Sequence, residues 1–175
     1  LFFGSVYIGS LFGIRVRIHA TFFWFVAITL LAGSGRDNLY LMRYRAISMA
    51  ALFVMVLMHE FGHCFASRAV GGNPQEILMH PLGGLAYADA PHRWGANLVT
   101  VIGGPAVNVL ICIIAAGVIY LSGHFWPNLN PWHPIPPREL YANSITIYAW
   151  WAFYTSYYLL LFNMREGVQS GPRMR

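Results

Sequence analysis

Long runs of apolar residues divide the chain into four segments, and the polar residues gather between them. A helix needs about 20 mainly apolar residues to cross a hydrocarbon core about 30 Å thick. Three runs reach that length, and the first run is shorter but rich in Phe and Trp. This pattern predicts an all-α polytopic membrane protein that forms a single domain over residues 1–175, with transmembrane helices at about 19–32, 46–70, 95–121 and 145–164.

Two segments outside these helices show the pattern of β-strands. Residues 10–18 alternate apolar and polar positions from Ile14 to Ile18, and a period of two predicts a strand with one polar face. Residues 73–90 contain two short apolar runs around Pro81 and two glycines, which is typical of a β-hairpin. We therefore expect a short N-terminal strand and a β-hairpin beside the helices.

The composition supports the membrane prediction. Hydrophobic residues make up 57% of the 175 residues, charged residues make up 10%, and the mean hydropathy is +0.51. A disordered chain needs low hydrophobicity and high charge, and a soluble domain needs enough polar residues to cover its surface. The composition therefore excludes a disordered chain and argues against a soluble domain. Two cysteines also exclude a small secreted domain held together by disulfides.

The net charge of +5 comes from eleven arginines, without any lysine, against six acidic residues. These arginines are dispersed between the apolar runs, whereas nucleic-acid binding requires a clustered basic patch, so no nucleic-acid partner is predicted. An even number of spans places both termini on one side of the membrane, where seven of the arginines fall. Because cytoplasmic loops carry an excess of basic residues, we expect a multi-pass protein of the cell membrane with cytoplasmic termini.

The second predicted helix carries the sequence HEFGH at residues 59–63. Residues four apart share one face of a helix, so His59 and His63 can present two imidazoles to one ion, and Zn²⁺ suits such ligands. Glu60 lies beside the first ligand, where its carboxylate can take a proton from an attacking water. This arrangement predicts a zinc metalloprotease.

Two other interpretations of HEFGH are open. Two histidines can share a helix face by coincidence, although ionisable groups inside a bilayer are costly and usually functional. A metal-ion transporter could also carry an intramembrane histidine pair, and it would need further polar groups along the third and fourth helices. Those helices offer uncharged polar groups only. Gly103, Gly104 and Pro105 predict close packing of the third helix against the second.

At this point the sequence resembles the site-2 proteases, which are intramembrane zinc metalloproteases. GSLFGIRVRIHATFFWF at 9–25 is similar to the strand that leads into the family's first helix, and VLMHEFGHCFASRAVGG at 56–72 is similar to its HExxH helix. MHPLGGLAYAD at 79–89 resembles the family's membrane-associated hairpin, and GGPAVNVLI at 103–111 resembles its Gly-Pro-x-x-Asn helix. The ordered set of four motifs is more specific than HExxH alone.

The resemblance implies a function and assigns residues to it. It implies cleavage of transmembrane helices of membrane-tethered substrates, as in regulated intramembrane proteolysis, so the partners are a transmembrane protein or peptide and the lipid bilayer. It assigns His59 and His63 as zinc ligands and Glu60 as the catalytic base. Asn108 would bind substrate, with an interhelical hydrogen bond as the equal alternative. The hairpin would hold an extended substrate segment by strand addition.

The sequence departs from the family at the expected third zinc ligand. The family has an Asp within Asn-x-x-Pro-x-x-Pro-x-Asp-Gly, and here Asn163 opens that pattern while Gly171 stands at the Asp position. Glu166 is the nearest carboxylate and a candidate substitute, or else the ligand lies outside this chain. The alternative function is a catalytically inactive relative that binds membrane helices or acts as a scaffold.

Overall fold

The computed structural model describes the chain over residues 4–31, 39–81, 83–91, 93–123 and 144–169.

Helices occupy the four apolar runs. They are α1 at Ala20–Leu31, α2 at Leu39–Ala69, α3 at Trp94–Leu121 and α4 at Ser144–Gln169. The helical segments predicted from the sequence are therefore confirmed. The predicted bounds of α1 and α3 differ from these by one residue at most. In contrast, α2 begins well before residue 46 and α4 continues beyond residue 164, because the arginines that suggested loops favour a helix almost as strongly as alanine does.

Two of the described helices have the length and apolar composition of membrane spans. They are α3 in full and the 25 residues Arg45–Ala69 of α2. The helix α1 is apolar but has only 12 residues. Two membrane-length helices are therefore present in the described part of the chain, and the count of four spans stays a prediction.

A four-stranded mixed sheet accompanies the helices, so the protein is mostly helical but not all-α. The strands are β1 at Ser5–Leu11, β2 at Ile14–His19, β3 at Glu76–His80 and β4 at Gly83–Tyr87, in the spatial order β1-β2-β3-β4. The two outer pairs are antiparallel, and the central pair β2–β3 is parallel. The predicted hairpin is β3–β4, and the N-terminal strand joins it in one sheet.

The strand predicted at residues 10–18 is wrong in its N-terminal part, because the chain turns there between β1 and β2. Phe12 and Gly13 form this turn with positive φ angles of 55° and 77°. Two-residue hairpin turns favour such angles, but phenylalanine is not a turn signal. The Phe12 ring packs edge-on against Phe61 and Phe65 of α2, at centroid distances of 5.8 and 5.3 Å. A tertiary contact therefore stabilises a turn that the local sequence does not announce.

The parallel pairing of β2 with β3 attaches the hairpin to the N-terminal segment. Ile14, Val16 and Ile18 of β2 are buried at alternate positions, as the period of two predicts, and all of Ile77–Met79 in β3 is buried. Arg15 is the register partner of Glu76 and lies 3.5 Å from its carboxylate. This pairing leaves β4 as an edge strand of the sheet.

The chain divides into two compact units, Leu1–Gly104 and Pro105–Arg175. The first unit contains the sheet, α1, α2 and the start of α3. The second unit contains the rest of α3 together with α4. Its core packs small and branched side chains of α3 against aromatic rings of α4, and the buried members are Ala115, Ala116, Ile119, Trp150, Phe153 and Tyr154.

Candidate active site

The two histidines of HEFGH converge on one point, as their helical spacing predicts. The Nε2 atoms of His59 and His63 are 3.1 Å apart, and the two ring planes are nearly perpendicular at 85°. His59 is only 3% exposed. At this distance the two Nε2 atoms can share a hydrogen bond or bind one ion, and both face the same point.

A backbone carbonyl of α3 orients the His63 ring. The Nδ1 atom of His63 lies 2.8 Å from the carbonyl oxygen of Thr100 and 3.4 Å from the backbone nitrogen of Gly104. A carbonyl oxygen can only accept, so the shorter contact places the proton on Nδ1, which donates to Thr100. Nε2 of His63 then carries the lone pair, as in the usual arrangement of a metal-ligating histidine, and it faces Nε2 of His59.

Two consecutive glycines of α3 face the HEFGH turn of α2. A Cβ atom at Gly103 would overlap the backbone carbonyl of Gly62 and the Cβ of Ala66. The two helices therefore approach at a point where neither side has room for a side chain, which is typical of close helix packing in membranes. The close packing predicted from the Gly-Gly-Pro sequence is confirmed at this position.

The second of these glycines leaves the space that a metal ion needs. A Cβ atom at Gly104 would overlap Nε2 of His63 and would stand 2.7 Å from Nε2 of His59. A residue with a side chain at position 104 would therefore collide with both imidazoles.

The residues present fit a zinc ion. Two nitrogens that each lie about 2.0–2.1 Å from one tetrahedral zinc ion are roughly 3.3 Å apart, and the observed separation is 3.1 Å. Among the residues that the structure describes, no group of three or more His, Cys, Asp or Glu side chains is arranged to hold a metal ion. The side chain of Glu166 and the position of Gly171 lie outside those residues, so the identity of a third ligand stays a prediction.

Glu60 lies on a different side of α2 from the two histidines and faces the edge strand β4. The residue is 6% exposed, and its carboxylate interacts with the backbone N–H groups of Gly84 and Ala86. A buried carboxylate next to the first imidazole has the chemistry of a general base. Sequence reasoning assigned the base but missed its contact with β4, although the Gly83-Gly84 pair was a signal of close approach.

Asn108 is completely buried and follows Gly104 by four residues in α3. It belongs to the second compact unit, whereas the histidines and Glu60 belong to the first. Its assignment as a substrate-binding residue therefore stays a prediction.

An HExxH helix with converging imidazoles and an adjacent buried carboxylate has the residue types that zinc metalloproteases use. No protein-family model matches the sequence. A zinc metalloprotease of Methanocaldococcus jannaschii is 29% identical over 126 residues, which are 72% of this chain and 35% of that protein. The chain thus matches about a third of the length of that relative.

The structural comparison agrees with the sequence comparison. The fold is similar to that of the site-2 protease from Methanocaldococcus jannaschii, with a TM-score of 0.64 and 23% identity over 95% of this chain and 72% of that one. This chain therefore shares the fold of that site-2 protease, and its sequence is similar to that of a zinc metalloprotease.

Proposed function

We propose that this chain is an intramembrane zinc metalloendopeptidase that cleaves transmembrane helices of membrane-tethered substrates, as in regulated intramembrane proteolysis. The observation that carries this proposal is the 3.1 Å approach of the two imidazole Nε2 atoms over the gap at Gly104. His59 and His63 lie on α2, and Thr100, which contacts His63, lies on α3. Both helices contain an apolar segment of membrane length. A peptide bond buried in lipid is the substrate that such a site would reach.

His59 and His63 would hold the metal through Nε2, with the carbonyl of Thr100 fixing the ring of His63. When bound there, zinc supplies a Lewis acid that polarises a carbonyl oxygen and acidifies water. His59 and Glu60 are buried, so the effect of each charge there is stronger than at a surface.

Glu60 acts as the base in this proposal. Its carboxylate takes a proton from the attacking water as the water oxygen bonds to the peptide carbonyl carbon. The same carboxyl group then gives that proton to the nitrogen of the leaving amine as the C–N bond breaks. The helix α2 sets the position of the Glu60 carboxylate relative to the imidazole of His59, because Glu60 follows His59 directly.

The hairpin β3–β4 would hold the substrate. A peptide bond in a helix is shielded by its own hydrogen bonds, so a protease must bind its substrate in an extended form. The strand β4 lies at the edge of the sheet, where an extended segment can pair by strand addition. The side-chain amide of Asn108 would donate to the substrate backbone or to a developing oxyanion.

The test of the proposed function is Glu60→Gln in the full chain, reconstituted with a membrane-embedded substrate. We expect kcat to fall by at least ~100-fold while zinc content is unchanged, because the amide cannot accept the proton but occupies the same volume. Asp89→Asn makes the same chemical change at an exposed carboxylate and is the control. Cleavage that survives Glu60→Gln at the wild-type rate rejects Glu60 as the base.

The second candidate function is a catalytically inactive relative that binds or scaffolds membrane helices. The replacement of the expected Asp by Gly171 in the sequence favours it. Catalytic zinc sites usually have three protein ligands, so two imidazoles alone bind zinc weakly. Purified protein that carries no zinc after equilibration with micromolar Zn²⁺, yet captures a transmembrane peptide, would favour this function over proteolysis.

A further inference from the structure

The side chain of Glu60 contacts the outward-facing side of β4. The backbone N–H groups directed at its carboxylate belong to Gly84 and Ala86, which are two residues apart and therefore point the same way along a strand. The carbonyl of the next residue, Tyr87, points the other way and accepts from the backbone N–H of Gln75, next to β3. The carboxylate thus occupies amides at the free edge of the sheet.

Gly84 is the point at which the strand and the side chain come closest. A Cβ atom at this position would overlap Cγ of Glu60 and would stand 2.7 Å from its Oε1 atom. The backbone of Gly84 has no left-handed φ angle, in contrast to the adjacent Gly83 with φ of 153°. Glycine is therefore needed at position 84 for space against Glu60 and not for its conformation.

We propose that Gly84 is a positioning residue for the general base, because its missing side chain lets the amides of β4 seat the Glu60 carboxylate. This inference rests on the proposed function for the role of Glu60. It adds a role for the outer edge of β4, because the amides of Gly84 and Ala86 hold the base. Strand addition at this edge would then use the backbone groups that Glu60 leaves open.

The test is a double-mutant cycle of the full chain in one detergent: wild type, Gly84→Ala, Glu60→Ala and the double variant, each measured by Tm. In the wild-type background the added Cβ overpacks against Glu60, and we expect Tm to fall by about 5 °C. In the Glu60→Ala background the clashing atoms are gone, and we expect a change below about 1 °C. Gly95→Ala adds the same methyl in a helix where nothing lies within 4 Å, so its Tm should not fall.

An equal fall of Tm in both backgrounds, or no fall in either, would overturn the inference, because Gly84 would then not act through Glu60. If Gly84→Ala cannot be purified, recovery of folded protein in the Glu60→Ala background supports the inference, and failure in both backgrounds overturns it. This cycle needs no proteolysis, so it separates the inference from the proposed function. If the cycle shows coupling between positions 60 and 84 but the chain is inactive, only the role of Glu60 as the base is contradicted.

Activity gives a second readout for a positioning role. Displacing a base by about 1 Å can slow a reaction about 100-fold, so we expect Gly84→Ala to lower kcat by that factor with KM and zinc content nearly unchanged. A joint loss of zinc and kcat would show that the hairpin itself had been disrupted, and it would overturn the inference.

Discussion

The ring of His63 is oriented by the backbone carbonyl of Thr100 and not by an acidic side chain. The carboxylate of Glu60 is likewise oriented by backbone amides of β4. Both contacts depend on close approach of a backbone, and both occur beside a glycine, Gly104 in one case and Gly84 in the other. These two glycines therefore matter to the candidate site, since a side chain at either position would collide with the imidazoles or with the Glu60 carboxylate.

A substitution at Gly104 tests whether the two imidazoles bind zinc. We expect Gly104→Ala to abolish zinc retention, because the added Cβ would occupy the gap between the two Nε2 atoms. The measurement is the zinc content of purified protein by elemental analysis. Alanine favours a helix over glycine by about 1 kcal/mol, so loss of the fold is not the expected cause.

Gly117→Ala makes the same substitution in the same helix, at a position where nothing lies within 4 Å of the added Cβ. This control should keep its zinc and gain a few degrees in Tm. Full zinc content in Gly104→Ala would show that the metal does not bind where the two imidazoles converge.

At the scale of elements, the contact of α2 with the start of α3 assembles the metal-binding part of the site. Gly103 lies against Gly62 and Ala66, and this contact brings the carbonyl of Thr100 within reach of His63. The sheet makes the other contribution, because the parallel pairing of β2 with β3 anchors the hairpin that carries β4. Each element places backbone atoms against the HEFGH turn.

We expect Gly103→Val to destabilise the protein by about 1–3 kcal/mol, because the larger side chain forces α2 and α3 apart. Zinc affinity should fall with it, since Thr100 would no longer hold His63. Thermal unfolding and zinc titration of the same preparation check both effects. Gly95→Val is the control for the low helix propensity of valine, and equal losses in both variants would refute the packing argument.

The sequence predicted the helices well because their apolar runs are long, and it predicted the convergence of His59 and His63 because helical spacing alone brings them together. It did not predict β1, where a register shift between Tyr7 and Gly9 interrupts the alternation of apolar and polar residues. It also missed the turn at Phe12, which depends on contacts with α2. Local patterns carry no information about such tertiary partners.

The distribution of arginines bears on the orientation of the whole molecule in the membrane. Tyr7 of β1 is exposed, and we predict that it lies on the same side as the termini, in the cytoplasm. In a background of Cys64→Ala and Cys112→Ala, Tyr7→Cys should react with an impermeant maleimide in inverted membrane vesicles and not in intact cells. Labelling in intact cells alone would reverse the orientation.

The central claim is that His59 and His63 bind one zinc ion, and X-ray absorption spectroscopy of the zinc-loaded protein tests it most directly. We expect two imidazole nitrogens at about 2.0–2.1 Å from zinc in the wild type and in Glu60→Gln. We expect the loss of this signal in the double variant His59→Ala/His63→Ala. A spectrum without imidazole ligands, or one that the double variant leaves unchanged, would contradict the claim.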